Sequence, residues 1–183
     1  MPLESVIELM MPRDATAADF SAILALNEAF VSVLSPLDVG RLARLHAQAA
    51  LHRLIEHDGR IEAFLLALRD GVDYDSPNYR WFAQRHARFL YMDRIMVAGT
   101  TRSRGAGSRL YRDLHALAQR DGVPLITCEF DLDPPNPASA RFHAKLGFRE
   151  VGRQQLDGGR KTVSLQALDV AAGDSPLADF AVC

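Results

Sequence analysis

Gly105 and Gly107 are the first residues that invite a chemical reading, set in RSRGAGSRLY (102–111) where a strand hands over to a helix. Ahead of them FLYMDRIMV (89–97) alternates with period two and is rich in β-branched and aromatic residues, which predicts a strand. Behind them Leu110, Leu114, Leu117 and Ala118 fall on one helical face, and Gly122 stops the helix. The glycines therefore open a helix, where several backbone N–H groups have no intrahelical acceptor and the dipole favours an anion. Arg102, Arg104, Arg109 and Arg112 crowd the same turn. Guanidiniums at a helix N-terminus oppose the dipole, so they read either as a solvated basic face or as phosphate ligands. A pyrophosphate is the natural guest. Two familiar phosphate motifs are excluded: no Gly-Lys-Ser/Thr is present, and Leu110 stands where a dinucleotide fingerprint needs its third glycine.

A second cluster follows in LDPPNPASARFHAKLGF (132–148). Asn136 is a good N-cap, Pro137 suits the first helical position, and Ala138, Phe142 and Leu146 form an i, i+4, i+8 stripe ended by Gly147. LITCEF (125–130) before it reads as a strand.

Together these segments resemble the GNAT-type N-acetyltransferases. That family's Arg/Gln-x-x-Gly-x-Gly/Ala turn is matched by Arg102-Ser103-Arg104-Gly105-Ala106-Gly107. Its later Asn-x-x-Ala-x-x-x-Tyr-x-Lys-x-Gly-Phe helix is matched at Asn136, Lys145, Gly147 and Phe148, with Ser139 and His143 departing from it. The resemblance implies an α/β (α+β) fold with a mixed central sheet of about seven strands, flanked by about four helices. The sheet would splay between its fourth and fifth strands, here 89–97 and 124–131. Acetyl-CoA is the implied cofactor, its pantetheine pairing with backbone near Met96 and Val97 and its pyrophosphate resting on the N–H groups of Ser103, Arg104, Gly105, Ala106, Gly107 and Ser108. Arg102 belongs to the same turn, and Asn136 either contacts the pantetheine or only caps its helix.

The implied chemistry is direct attack of an amine on the thioester, which requires a neutral amine. For a lysine-like amine at pH 7 deprotonation costs roughly 4–5 kcal/mol, for an α-amino group only about 1.4 kcal/mol. Asp93 is the leading candidate base, or else an ion-pair partner for an arginine, and Glu129 on the opposing strand is the second. A carboxylate is a weak base unless burial raises it, so a water relay is the expected route. His143 replaces the family's usual tyrosine beside the leaving thiolate. It would act as an imidazolium acid, hydrogen-bond the sulfur, or fill a polar gap.

The expected acceptor pocket draws on Asn27, Glu28 and Phe30 at the end of the first helix, on Tyr91, and on the loop 69–88 with Tyr74, Tyr79 and Trp81 among carboxylates. Aromatics beside acids suit a cationic amine; alternatively Tyr79, Trp81 and Phe82 anchor a short helix to the core. The acceptor is a small-molecule or peptide amine. An acyl-CoA-binding regulatory or assembly domain with weak catalysis is the alternative.

The elements that must carry these residues follow from patterning: a strand at 5–10, helices at 16–27 and 38–49, and strands at 51–57 and 60–69 joined through Asp58-Gly59. The motif strands and helices come next (89–97, 108–121, 124–131, 137–146), then strands 149–156 and 160–168 about Asp157-Gly158-Gly159. One domain over 1–168 and a C-terminal tail 169–183, frayed or packed on a second chain as in a possible homodimer, account for the 183 residues. A formal charge of −2 excludes a general pull toward nucleic acid, and no apolar run reaches membrane-spanning length. Cys128 and Cys183 make no disulfide framework, no metal is expected, and a cytoplasmic location is the reading.

Overall fold

The computed structural model describes residues 11–29, 36–99 and 105–170. Seven strands form one mixed sheet in the order β1-β2-β3-β4-β5-β7-β6. They are β1 (Arg13–Asp14), β2 (Ala49–His57), β3 (Arg60–Arg69), β4 (Leu90–Val97), β5 (Leu125–Asp133), β6 (Arg149–Leu156) and β7 (Lys161–Asp169). Five α-helices accompany them: α1 (Phe20–Glu28), α2 (Val39–Gln48), α3 (Pro77–Ala83), α4 (Ala106–Arg120) and α5 (Pro137–Lys145). The described residues fall into two compact units, one running up to Leu68 and adding Asp93–Leu114, the other made of Arg69–Met92 and His115 onward.

In the first unit β2 and β3 form an antiparallel hairpin. Asp58 and Gly59 turn it with φ of 50° and 73°, the left-handed pair that a two-residue hairpin requires. Ala63 to Leu68 are buried without interruption, as a strand covered on both faces should be. A short 3-10 turn at Ala17–Asp19 precedes α1, and Asp38 caps α2 by accepting from Arg41 N at 2.7 Å. His46 from α2 meets His52 from β2, Nδ1 to Nδ1 at 2.9 Å, so one ring donates and the other accepts. Burial, then the charges of His46 and Arg94 against an opposing Asp19, push His52 down to about 4.

In the second unit β5 pairs β7 antiparallel from Leu125↔Asp169 onward, β6 pairs β7, and β4 runs parallel to β5 through Leu90↔Ile126 and Tyr91↔Thr127. The segment 69–88 contains α3, started by Ser76, whose side chain accepts from Tyr79 N, and by Pro77. The helical alternative for its aromatics is the one adopted. Helix α4 starts at Ala106, two residues before the sequence pattern marks it, because Gly105 alone makes the turn and Gly107 is absorbed into the first helical turn. The strand expected at 5–10, Phe30, residues 102–104 and the tail beyond Val170 lie outside the described residues.

Candidate active site

The first unit supplies the glycine turn. Gly105 sits at φ 77° with open space where a Cβ would stand, so backbone conformation and not crowding selects glycine there. The first helical bond of α4 joins Arg109 N to Gly105 O at 3.0 Å. The N–H groups of Ala106, Gly107 and Ser108 therefore precede the ladder and are available to an anion. Ala106 and Gly107 are buried and Ser108 half-buried, so the donors stand in a partly desolvated start. That donor set suits a pyrophosphate. On β4, Met96 is buried while Asp93, Ile95 and Val97 occupy the less buried positions. Arg102, Ser103 and Arg104 of the same motif lie outside the described residues.

Asp93 is held at once by its neighbour. Arg94 Nε donates to Asp93 Oδ2 at 2.7 Å, and both side chains are 4% exposed. Arg94 Nη1 donates to Asn27 Oδ1 at 2.9 Å, which makes Asn27 a buried support of the arginine at the end of α1. Glu28 beside it is exposed.

The second unit gathers a different set around Glu129 on β5. Tyr91 donates its hydroxyl to Glu129, 2.9 Å from Oε1 and 2.7 Å from Oε2. Asn78 Nδ2 donates to Oε1 at 2.9 Å, and Gln154 Nε2 donates in turn to Asn78 Oδ1 at 3.1 Å. Tyr91 is fully buried and Asn78 nearly so, while Glu129 is half-buried. Asn78 and Gln154 carry no sequence motif: one lies in the first turn of a short helix, the other alternates along a strand. Only the three-dimensional pairing shows them.

The loop aromatics divide. Tyr74 and Tyr79 are buried, their rings 5.7 Å apart, and Tyr79 packs edge-on to Tyr91 at 5.5 Å. Tyr79 OH donates to Arg69 O and accepts from Val72 N, so it ties the segment down. Trp81 lies against β6, where a Cβ on Gly152 would come within 2.6 Å of Trp81 Cζ2, and Arg85 covers the indole at 4.0 Å.

On α5, Asn136 Oδ1 accepts from Ser139 N at 3.1 Å, the N-cap role. His143 is 2% exposed, stacked on Phe130 and edge-on to Phe142 and Phe148. Its Nδ1 lies 2.8 Å from Ser139 O. A carbonyl only accepts, so the proton is on Nδ1 and the lone pair on Nε2. Burial pushes the imidazole down to about 4 against the opposing pull of that carbonyl, leaving it uncharged at neutral pH.

Comparison with known proteins agrees with this architecture. A sequence model of the Acetyltransferase (GNAT) family matches residues 23–148. The chain belongs to that family, which makes it an acyltransferase. Among solved structures, an N-acetyltransferase from Staphylococcus aureus Mu50 shares 22% identity with a TM-score of 0.66, covering 88% of this chain and 98% of that one. The YncA structure from Salmonella typhimurium, with its cofactor acetyl-CoA, shares 21% identity at a TM-score of 0.66, over 92% of this chain and 98% of the other. The ribosomal-protein-S18-alanine N-acetyltransferase from Escherichia coli shares 16% identity at 0.66, over 88% and 94%. A search of curated proteins gave no match.

Proposed function

We propose that the protein transfers acetyl from acetyl-CoA directly to a primary amine of a small molecule or peptide, with Glu129 receiving the amine. The observation that carries this reading is the grip on Glu129: a buried tyrosine hydroxyl and a buried amide both donate to it. Hydrogen bonds to the charged form stabilise a carboxylate, and a half-buried anion attracts an ammonium. Glu129 then accepts the ammonium proton, directly or through one water. Asp93, paired with Arg94 and through it with Asn27, holds the chain at the inner part of β4 and is the second candidate base.

Acetyl-CoA, when bound, supplies an activated acyl thioester. Ala106, Gly107 and Ser108 would hold its pyrophosphate, joined by Gly105 and by Arg102, Ser103 and Arg104 ahead of the helix. Met96 and Val97 offer strand backbone to its pantetheine arm, and Asn136 sits at the start of the second motif helix. Buried, uncharged His143, its Nδ1 proton turned to Ser139 O, suits contact with the thiol sulfur better than the delivery of a proton from an imidazolium. The α-amine of a peptide N-terminus needs little more than desolvation, whereas a lysine-like amine relies on Glu129.

Thermal unfolding with and without acetyl-CoA, followed by a screen of amines for release of CoA thiol, tests the proposal. Donor at about 100 times Kd should add roughly 2.7 kcal/mol, or on the order of 5–11 °C for a chain of this length. Stabilisation with turnover on a primary amine supports the enzyme. Stabilisation without turnover on any amine favours an acyl-CoA-binding regulatory domain, and no stabilisation at millimolar donor overturns both.

A further inference from the structure

We infer that Asn78 and Gln154 form a directional two-amide relay that sets the orientation and charge of Glu129, making both positioning residues for the acceptor amine. The inference rests on the reading of Glu129 as the residue that receives that amine. The direction is fixed at one end. A carboxylate only accepts, so Asn78 must turn its Nδ2 toward Glu129, 2.9 Å away. Its Oδ1 then faces Gln154, which has to offer Nε2, 3.1 Å away. Each amide is thereby locked in one of its two orientations, and the polarity of the outermost one is transmitted to the carboxylate.

The mounting of the pair supports a dedicated role. Asn78 is in the first turn of α3, a position that is ordinarily solvated, yet it is 6% exposed. Trp81, three residues on, rests on Gly152, where a Cβ would intrude to 2.6 Å. Gly152 precedes Gln154 by two residues and so shares its face of β6. The missing side chain lets α3 come close enough to β6 for the two amides to meet. Tyr91 OH spans both oxygens of Glu129, and Asn78 adds a second donor to Oε1 alone. The relay therefore adds to the difference between the two oxygens.

Gln154→Glu tests this with almost no change of shape at a half-buried position. A carboxylate at 154 can only accept, so Asn78 can no longer satisfy both neighbours and one of the two carboxylates is left facing its Oδ1, lone pair to lone pair. The readout is the carboxyl 13C titration of Glu129 in the donor-free protein, with the acid limb of kcat/KM followed in parallel. We expect both midpoints to rise together by about one pH unit. Gln154→Leu, which removes only the outermost bond, should move them less, and Asn78→Leu provides a second route to the same rise. Direct repulsion by the new charge alone predicts the same difference between Gln154→Glu and Gln154→Leu when Asn78 is leucine, whereas the relay predicts that Asn78→Leu removes most of that difference. An unmoved Glu129 midpoint in Gln154→Glu overturns the relay even if turnover is normal. A raised midpoint in a protein that acetylates no amine upholds the relay and overturns the function instead.

Discussion

Glu129 and Asp93 are both carboxylates near the middle of the sheet, and their partners separate them. Asp93 meets a guanidinium at 2.7 Å, whereas a hydroxyl and an amide donate to Glu129. Neutral donors such as these orient a carboxylate without cancelling its charge. Glu129→Gln should therefore lower kcat/KM for a lysine-like amine by about 100-fold or more, the ordinary worth of general-base help. Stabilisation by acetyl-CoA should stay near wild type in the same variant. Asp93→Asn should instead lower Tm, because it leaves buried Arg94 without its charge partner. Steady-state kinetics beside a melting curve separates the two. Full activity in Glu129→Gln would return the base role to Asp93. The glycine turn was legible in the sequence because its demand is local: one residue at positive φ and a helix start. The Asn78–Gln154 pair was not, because its members are 76 positions apart and gain meaning only through Glu129.

At the scale of elements, hydrophobic period with cap and turn residues located most of the strands and helices, and the discrepancies have physical causes. Helix α3 is too short to show a full amphipathic period, so its aromatics looked equally like a loop. Strand β1 has only two residues and no alternation to detect. The seat of α3 on β6 is the contact most exposed to a single change. Gly152→Ala places a methyl against a rigid indole already covered by Arg85. It should cost about 1–3 kcal/mol, read as a lower midpoint in urea at unchanged m-value. Trp81→Leu in the same background should recover part of that loss. By contrast, Gly105→Ala meets no neighbour, and its cost should come from the positive φ alone, about 1 kcal/mol.

For the whole molecule, buried histidines shape the response to acid, burial lowering His115 as well as His52 and His143. His52 and His143 both lie near 4 when folded, against an ordinary value near 6.5. Between those values the unfolded chain binds protons that the folded chain refuses, so stability falls as pH drops through this window and is level above it. At pH 5 each histidine should have cost about 2 kcal/mol, and Tm should stand on the order of 10 °C below its value at pH 7.5. His52→Gln should lose a clear part of that pH dependence, whatever its absolute Tm. A slope equal to wild type would mean that His52 is not held uncharged. No helix among the described residues is long and apolar enough to cross a membrane.

Trp81 is the chain's one tryptophan, and it lies on the same helix as Asn78, against the same strand as Gln154. Selective excitation of the indole therefore yields emission from a single address. Arg85 lies over that ring and Gly152 against it, so a tilt of α3 on β6 should alter the surroundings of the indole and with them its emission. The protein thus carries an intrinsic optical gauge of the seat of α3 on β6, readable during titration with amines without attaching a dye.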